Sequence, residues 1–159
     1  MAAKEKLSLE QYLEACGAGC ADFVQELHDL IVSRKGKAEF VVQKTSLLGS
    51  FKHKQKSVFN TLLKEFGLVV RIYGENIADY PEFLDFLPVE MVDAISESGD
   101  CKWLTQGKCS PKCGGYDFNI AGAHFQKCRY NCFEFLATDT SKPYIKAFVE
   151  HELTRRVNV

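Results

Sequence analysis

The residues of this chain best suited to chemistry are cysteines, and five of its seven cysteines fall between Cys101 and Cys132. Two pairs each have three residues between the thiols, in the segments CSPKC and CRYNC. Paired thiols joined by a loop are typical of structural zinc sites, in which the two pairs converge to a tetrahedron around the ion. The spacing therefore predicts a zinc site with four thiolate ligands: Cys109, Cys113, Cys128 and Cys132.

Two other residues of the same stretch, Cys101 and His124, could replace one of these ligands. If the chain ran as a regular strand from Cys128 to Cys132, the two residues would lie about 13 Å apart at ~3.3 Å per residue, which is too far for one zinc ion. Either a turn interrupts the strand between them, or only one of them is a ligand. The second case predicts a different ligand set with Cys132 in the core: Cys101, Cys109, Cys113 and Cys128.

The same stretch is rich in positive charge. It holds one anion, Asp117, and five cations: Lys102, Lys108, Lys112, Lys127 and Arg129. Nearby positive charge lowers the pKa of a thiol and favours the thiolate, the form that binds metal and attacks disulfides. An alternative function is therefore a thiol-disulfide redox or redox-sensing protein that uses either cysteine pair. A third interpretation is that some of these cysteines are small apolar core residues, as buried free cysteines often are.

A second cationic pattern precedes the Cys-rich stretch, because Lys52, Lys54 and Lys56 alternate with uncharged residues. On one strand the three lysines would face the same way. Together with the cationic Cys-rich loop they favour, as a further alternative, a nucleic-acid-binding protein whose affinity falls with salt. The competing interpretation is a solvated sheet edge protected by lysines.

Composition excludes some classes of protein. The 159 residues carry a net charge of −1, with 46% hydrophobic and 26% charged residues, which is typical of a globular domain and not of a bulk polyanion binder. The N-terminal residues lack a secretory pattern, and no apolar run reaches the ~20 residues that span a bilayer. We therefore expect a cytoplasmic protein without a membrane partner, whose clustered cysteines serve metal or redox chemistry rather than disulfides.

Catalytic patterns are missing from the sequence. It contains no Gly-rich phosphate loop, no Ser-His-Asp order and no HExxH helix. Paired acids such as Glu150 and Glu152 are interpreted as solvated helix faces, and the closing Arg155 and Arg156 as solvated too. The sequence thus favours a non-catalytic intracellular binding protein of unknown partner.

The elements that must position these residues indicate an α+β fold, in which an antiparallel sheet is covered by N- and C-terminal helices. We predict a single domain over 1–159, made of a helix and sheet portion (1–98), a Cys-rich loop and hairpin (99–137) and a C-terminal helix (138–159). Ser8 and Gln11 form a capping-box pattern that begins the first helix. Apolar residues at helical spacing continue this helix to about residue 33, with a weak middle at Gly17 and Gly19.

The middle of the chain mixes strand and helix signals. Residues 38–56 have an extended pattern, and 58–73 fit either a short helix or a hairpin, of which the hairpin is favoured by the run LVVRIY. Pro81 and Pro88 divide 76–98 into two short helices. Residues 116–120 alternate as a strand that returns over 124–136, and a last helix begins near residue 140.

Three segments carry a resemblance to known proteins: Leu68–Gly74 (LVVRIYG), 108–113 (KCSPKC) and 127–133 (KCRYNCF). With them, the span 58–135 resembles small bacterial cytosolic proteins that have a Cys-rich C-terminal half. No activity is established for such proteins, so the resemblance implies neither a mechanism nor catalytic residues.

Overall fold

A computed structural model describes residues 5–107 and 114–157, and it confirms the α+β class. The strands are β1 (Lys6–Leu7), β2 (Lys37–Val42), β3 (Leu47–His53), β4 (Lys56–Lys64), β5 (Gly67–Ile72), β6 (Tyr116–Ile120), β7 (Ala123–Lys127) and β8 (Glu134–Leu136). The helices are α1 (Leu9–Cys16), α2 (Ala21–Ser33), α3 (Pro81–Leu84), α4 (Val89–Glu97), α5 (Lys102–Gln106) and α6 (Lys142–Val157), and a 3-10 turn covers Ile77–Asp79. Within these ranges, one antiparallel sheet has the order β1-β2-β3-β4-β5-β8, and β6 pairs with β7 in a separate hairpin.

The N-terminal helix begins as predicted. The backbone N–H of Ser8 donates to Gln11 Oε1 at 2.8 Å, and that of Gln11 donates to Ser8 Oγ at 3.1 Å, so both halves of the capping box are present. Gly17, at φ 73° and ψ −178°, then ends α1. Because this backbone geometry cannot continue a helix, the weak middle becomes a break and α2 starts separately at Ala21.

Helices α1, α2 and α6 pack on the sheet around an aromatic centre. The rings of Phe51 and Phe59, on neighbouring strands, stack with their centroids 4.2 Å apart. Tyr12 of α1 reaches the same sheet and shares a 2.8 Å hydrogen bond with Thr61. The predicted apolar stripe of α6 is fully buried: Ile145, Phe148, Val149 and Leu153. Aromatic packing of this kind is the main source of core stability.

Pro81, Pro88 and the hairpin favoured for 58–73 also lie where the sequence predicts them. Strands β4 and β5 form the hairpin predicted for 58–73. Pro81 occupies the first turn of α3, and Pro88 precedes α4. Within the described ranges, no helix combines the length and apolar character required to cross a bilayer.

The predicted lysine stripe is wrong. Lys54 and Gln55 have φ values of 50° and 68° and form the two-residue turn between β3 and β4. Residues with φ above zero at both central positions suit the right-handed twist of a hairpin, so the chain reverses here instead of extending. Lys52 and Lys56 therefore lie on neighbouring strands, β3 and β4. The segment 38–56, which was predicted to be extended, contains β2, β3 and the start of β4 with a turn between each pair of strands.

The strand predicted for 124–136 is also interrupted. The hairpin with 116–120 exists, but β7 ends at Lys127, and the N–H of Cys132 donates to the carbonyl of Cys128 at 3.1 Å. This turn redirects the chain, so that β8 pairs with β5 in the main sheet and not with β6. Phe133, just after the turn, packs against Phe118 of the hairpin with centroids 5.2 Å apart, which ties the hairpin to the core.

Candidate functional site

The described part of the Cys-rich stretch is organised by a short backbone pairing. Asp100 forms an antiparallel bridge with Lys127. On either side of it, the N–H of Cys101 donates to the carbonyl of Gln126, and that of Cys128 donates to the carbonyl of Gly99, both at 2.9 Å. Cys101 and Cys128 are therefore diagonal neighbours on one face of this pairing, a position at which the two residues lie about 7–8 Å apart.

Lys127 fixes this pairing to the rest of the fold. Its side chain is buried, and its ammonium donates to the carbonyls of Ser96 and Ser98 and to Asp100 Oδ1 at 3.1, 3.0 and 2.8 Å. These contacts occupy all three donors of the ammonium. One of the five cations counted in the stretch is therefore engaged inside the structure and does not belong to a surface patch.

Gly115 approaches Cys101 so closely that no side chain fits there. A Cβ at position 115 would lie 2.4 Å from Cys101 Sγ and 2.6 Å from the carbonyl oxygen of Lys127. Two of the predicted ligands, Cys109 and Cys113, lie outside the described residues. The described chain resumes at Gly114, directly after Cys113 in the sequence, and passes Cys101 one residue later.

Cys132 is fully buried within the hydrophobic core. Burial raises the pKa of its thiol, and the nearby Cys128 raises it further. The positive charge of Lys127 acts in the opposite direction but is outweighed by burial. The cationic stretch therefore does not turn this thiol into a ready thiolate, which differs from the sequence-based expectation.

His124 has a partner of its own, Asp117 on the neighbouring strand β6. It lies on the exposed side of the hairpin, where its Nε2 is 2.6 Å from Asp117 Oδ1. This hydrogen bond lowers the pKa of Asp117. Among residues 5–107 and 114–157, no three His, Cys, Asp or Glu side chains come together as a metal-binding group.

A cleft of about 640 Å³ opens where the β3–β4 turn faces the Cys128–Cys132 turn. Its charged or aromatic lining residues include Lys54, Lys56, Tyr73, Glu75, Arg129, Tyr130 and Arg156. Four of them are cations and one is a carboxylate, so the cleft has an excess of positive charge. The lysines on one wall come from the turn that replaces the predicted stripe.

The floor of the cleft is held by Arg156. Its guanidinium donates to the carbonyls of Ser57 at 2.8 Å and Tyr73 at 2.9 Å, and to Glu152 at 3.2 Å. Both residues of this ion pair were expected to be solvated, yet Glu152 is fully buried and the Arg156 side chain is 9% exposed. Their four-residue spacing on α6 is the sequence signal that could have indicated the pair.

The opposite wall of the cleft is formed by the Cys128–Cys132 turn. Arg129 forms an ion pair with Glu75, and Glu75 also accepts a 3.4 Å hydrogen bond from the hydroxyl of Tyr116. Tyr130 is 51% exposed, and its ring lies edge-on to Tyr73 at 6.4 Å. The turn thus presents both a cation and an aromatic face to the cleft.

Comparison of the chain with protein-family models, curated proteins and solved structures gave no match. No relative therefore assigns a role to the thiols or to the cleft. The bacterial resemblance seen in the sequence stays an expectation, and the functional argument rests on the geometry above.

Proposed function

We propose that this protein is a non-catalytic binding protein in which a structural zinc ion, held by the Cys-rich segment, shapes one wall of the basic cleft. The observation behind the proposal is that the turn from Cys128 to Cys132 carries Arg129 and Tyr130 into the cleft. A metal bound at the start of this turn would restrict its backbone. Zinc would thereby support the binding surface without taking part in a reaction.

The geometry favours the ligand set with Cys101 in place of Cys132. Cys101 is a diagonal neighbour of Cys128 and touches Gly115, close to where the described chain resumes. Cys132 is fully buried within the hydrophobic core, where apolar side chains surround it. The proposed ligands are Cys101, Cys109, Cys113 and Cys128, and the set with Cys132 in place of Cys101 is the alternative.

The redox alternative has weaker support. A thiol that attacks a disulfide must ionise readily, and the raised pKa of Cys132 disfavours this for the Cys128–Cys132 pair. Zinc bound by four thiolates also requires that the thiols stay reduced, which is consistent with the cytoplasmic location that we propose.

The test is elemental analysis, combined with a free-thiol count, of protein purified without added metal or chelator. We expect about one zinc per chain, and removal of the zinc by a chelator should make further thiols reactive, beyond the slow Cys16 and Cys132. Cys101→Ser should lose the zinc, whereas Cys16→Ser, on α1, should retain it as the matched control. Wild-type protein that is purified without metal, and whose thiol reactivity a chelator leaves unchanged, would overturn the proposal. Loss of zinc in Cys132→Ser but not in Cys101→Ser would establish the alternative ligand set.

A further inference from the structure

Two cysteines outside the Cys-rich stretch lie on either side of the break between α1 and α2. Cys16 is the last residue of α1, and Cys20 is the N-cap of α2. The thiol of Cys20 donates a hydrogen bond to the backbone carbonyl oxygen of Cys16 at 3.1 Å. Because the C=O and Cα–C bonds add at most about 2.8 Å, the sulfur of Cys20 lies within about 6 Å of the Cα of Cys16. The fold therefore holds the two cysteines side by side.

The loop between these cysteines leaves them room to approach. A Cβ placed at Gly17 or at Gly19 would meet no atom within 4 Å, so both glycines border open space. Gly17 has a φ of 73°, which glycine adopts without strain. A disulfide requires Cα atoms about 4.4–6.8 Å apart and an S–S bond of about 2.0 Å. Rotation of the two side chains, with a small adjustment of this loop, can bring the sulfurs to that distance.

Exposure distinguishes this pair from the other described thiols. Cys16 and Cys20 are both partly exposed, whereas Cys101 and Cys132 are buried. Cys128 is partly exposed too, but its neighbour in the turn, Cys132, lies in the core. Among the cysteines of 5–107 and 114–157, Cys16 and Cys20 are thus the only neighbours whose thiols are both within reach of a solute.

We propose that Cys16 and Cys20 are a reversible modification site, at which a low-molecular-weight disulfide converts the two thiols into an intramolecular disulfide. The site goes beyond the proposed binding role and is independent of the zinc. In a reducing compartment the two thiols stay free, and a rise in oxidised small disulfide closes the bond.

Thiol–disulfide exchange accounts for the atoms and electrons of this change. The thiolate of Cys20 attacks one sulfur of the small disulfide, forms a mixed disulfide and releases one small thiolate. The thiolate of Cys16 then attacks the Cys20 sulfur, forms the intramolecular bond and releases the second small thiolate. The two protons lost by the cysteines pass to the two released thiolates. The cysteine pair is oxidised by two electrons, and the small disulfide is reduced by the same two.

The surroundings of Cys16 decide the order of the two attacks. Burial, and then the neighbouring Cys20, raise the pKa of Cys16 to about 12, so Cys16 is a poor first nucleophile at neutral pH. Cys20 therefore attacks first. Its sulfur carries no negative charge in the mixed disulfide, so its contribution to the raised pKa of Cys16 is then lost. The second attack is intramolecular, and proximity compensates for the thiolate that remains scarce.

Peptide mass spectrometry of the full chain, after incubation with oxidised glutathione, tests the proposal. Trypsin cleaves after Lys6 and Arg34 and releases the segment 7–34, whose only cysteines are Cys16 and Cys20. Free thiols are blocked with N-ethylmaleimide before digestion. We expect a peptide that is two hydrogen atoms lighter than the dithiol and carries no maleimide, and we expect excess reduced glutathione to reverse its formation. A peptide that keeps two free thiols, or carries two glutathione groups without the internal bond, would overturn the proposal.

Single substitutions separate the roles of the two thiols. Cys16→Ser should stop at the mixed disulfide, with glutathione on Cys20. Cys20→Ser should take up glutathione at Cys16 at least about tenfold more slowly, because the thiolate of Cys16 is scarce. Equal rates of uptake in these two variants would refute Cys20 as the attacking thiol. Cys128→Ser is the matched control, since Cys128 is also partly exposed, and it should form the internal disulfide like the wild type.

The contribution of the fold is measured by equilibration with mixtures of reduced and oxidised glutathione. These mixtures give the effective concentration of one thiol at the other, in the native chain and in the chain unfolded by urea. The native value should be at least about tenfold higher, because the unfolded loop samples many more conformations. Equal values would overturn the proposal. The zinc content is measured alongside: a metal-free chain that still forms the bond refutes only the zinc, and a zinc-loaded chain that does not form it refutes only the modification site.

Discussion

Glu152 and Arg156 form an ion pair of 3.2 Å in the interior of the protein, one turn apart on α6. Glu152 also accepts hydrogen bonds from the backbone N–H of Asn76 at 3.1 Å and from the hydroxyl of Tyr80. The carboxylate of Glu152 and the guanidinium of Arg156 thus have hydrogen-bond partners on α6 itself, at Ser57 and within the segment 73–80. Because Arg156 also holds two carbonyls of the cleft floor, the same pair links the packing of α6 to the shape of the cleft.

Glu152→Ala should destabilise the protein strongly. The substitution leaves the mostly buried guanidinium of Arg156 without its counter-charge, and breaking one partner of a buried pair costs about 3–5 kcal/mol. Urea unfolding measures the change in the free energy of unfolding. Glu150→Ala, at an exposed position of α6, is the control and should stay within about 0.5 kcal/mol of the wild type. Equal unfolding midpoints for the two variants would contradict the buried pair.

Gly115→Ala should disturb the Cys-rich segment, because the added methyl group would overlap Cys101 and the carbonyl of Lys127. Forcing an extra carbon into a filled space typically costs about 1–3 kcal/mol. Gly99→Ala is a matched control in the same region, since its nearest neighbour would be Asn131 at an ordinary 3.7 Å. Thermal unfolding compares the two variants, and similar losses in both would show that Gly115 is not held as tightly as its geometry indicates.

Much of the fold could be predicted because its signals are local. The capping box of Ser8 and Gln11, the prolines at 81 and 88 and the alternation of LVVRIY act through neighbours in sequence, so the pattern alone indicates the element. The turn at Lys54–Gln55 was missed for the same reason. It contains no glycine, and the strand-like alternation around it concealed the reversal.

The candidate site was less predictable because its contacts are long-range. The burial of Glu152 depends on Asn76 and Tyr80, which lie more than seventy residues earlier, and no local pattern reveals them. The cleft similarly requires the β3–β4 turn to face the Cys128–Cys132 turn, an arrangement set by the packing of the sheet. The sequence identified the thiols as a group, but it could not show which of them face the core.

His151 should make stability depend on pH. Its ring stacks on Tyr80 with centroids 4.8 Å apart, and burial, followed by the charge of Arg155, lowers its pKa. The unfolded chain therefore binds a proton at a pH where the folded protein does not. Stability should fall as the pH drops from about 6.5, the ordinary histidine pKa, to the lower folded value, and this contribution should then level off.

The variant His151→Phe isolates this contribution. Phenylalanine retains a ring against Tyr80 but has no titratable group. The unfolding free energy of the wild type minus that of the variant should therefore decrease as the pH falls through that window, and stay constant outside it. Urea unfolding at a series of pH values from about 5 to 8 measures the difference. A difference that is independent of pH would contradict the lowered pKa of His151.

Alkylation of the thiols with and without chelator distinguishes burial from metal binding. Burial raises the pKa of Cys16 to about 12, so its thiolate is scarce at neutral pH and it should react slowly with iodoacetamide under both conditions. Cys132, in the core, should behave in the same way. Among the proposed ligands, Cys128 is only partly buried, so it should react slowly only while zinc is present and become faster after chelation, because the metal then no longer masks the thiolate.

Mass spectrometry of peptides gives the rate for each cysteine. Cys16 is the internal control, since it lies on α1 and outside the Cys-rich stretch. A chelator that accelerates Cys128 but leaves Cys16 and Cys132 unchanged supports zinc at the proposed ligands and a core role for Cys132. Rates that are all insensitive to chelator would contradict the proposed zinc site. The close approach of Cys101 and Gly115 would then reflect packing alone.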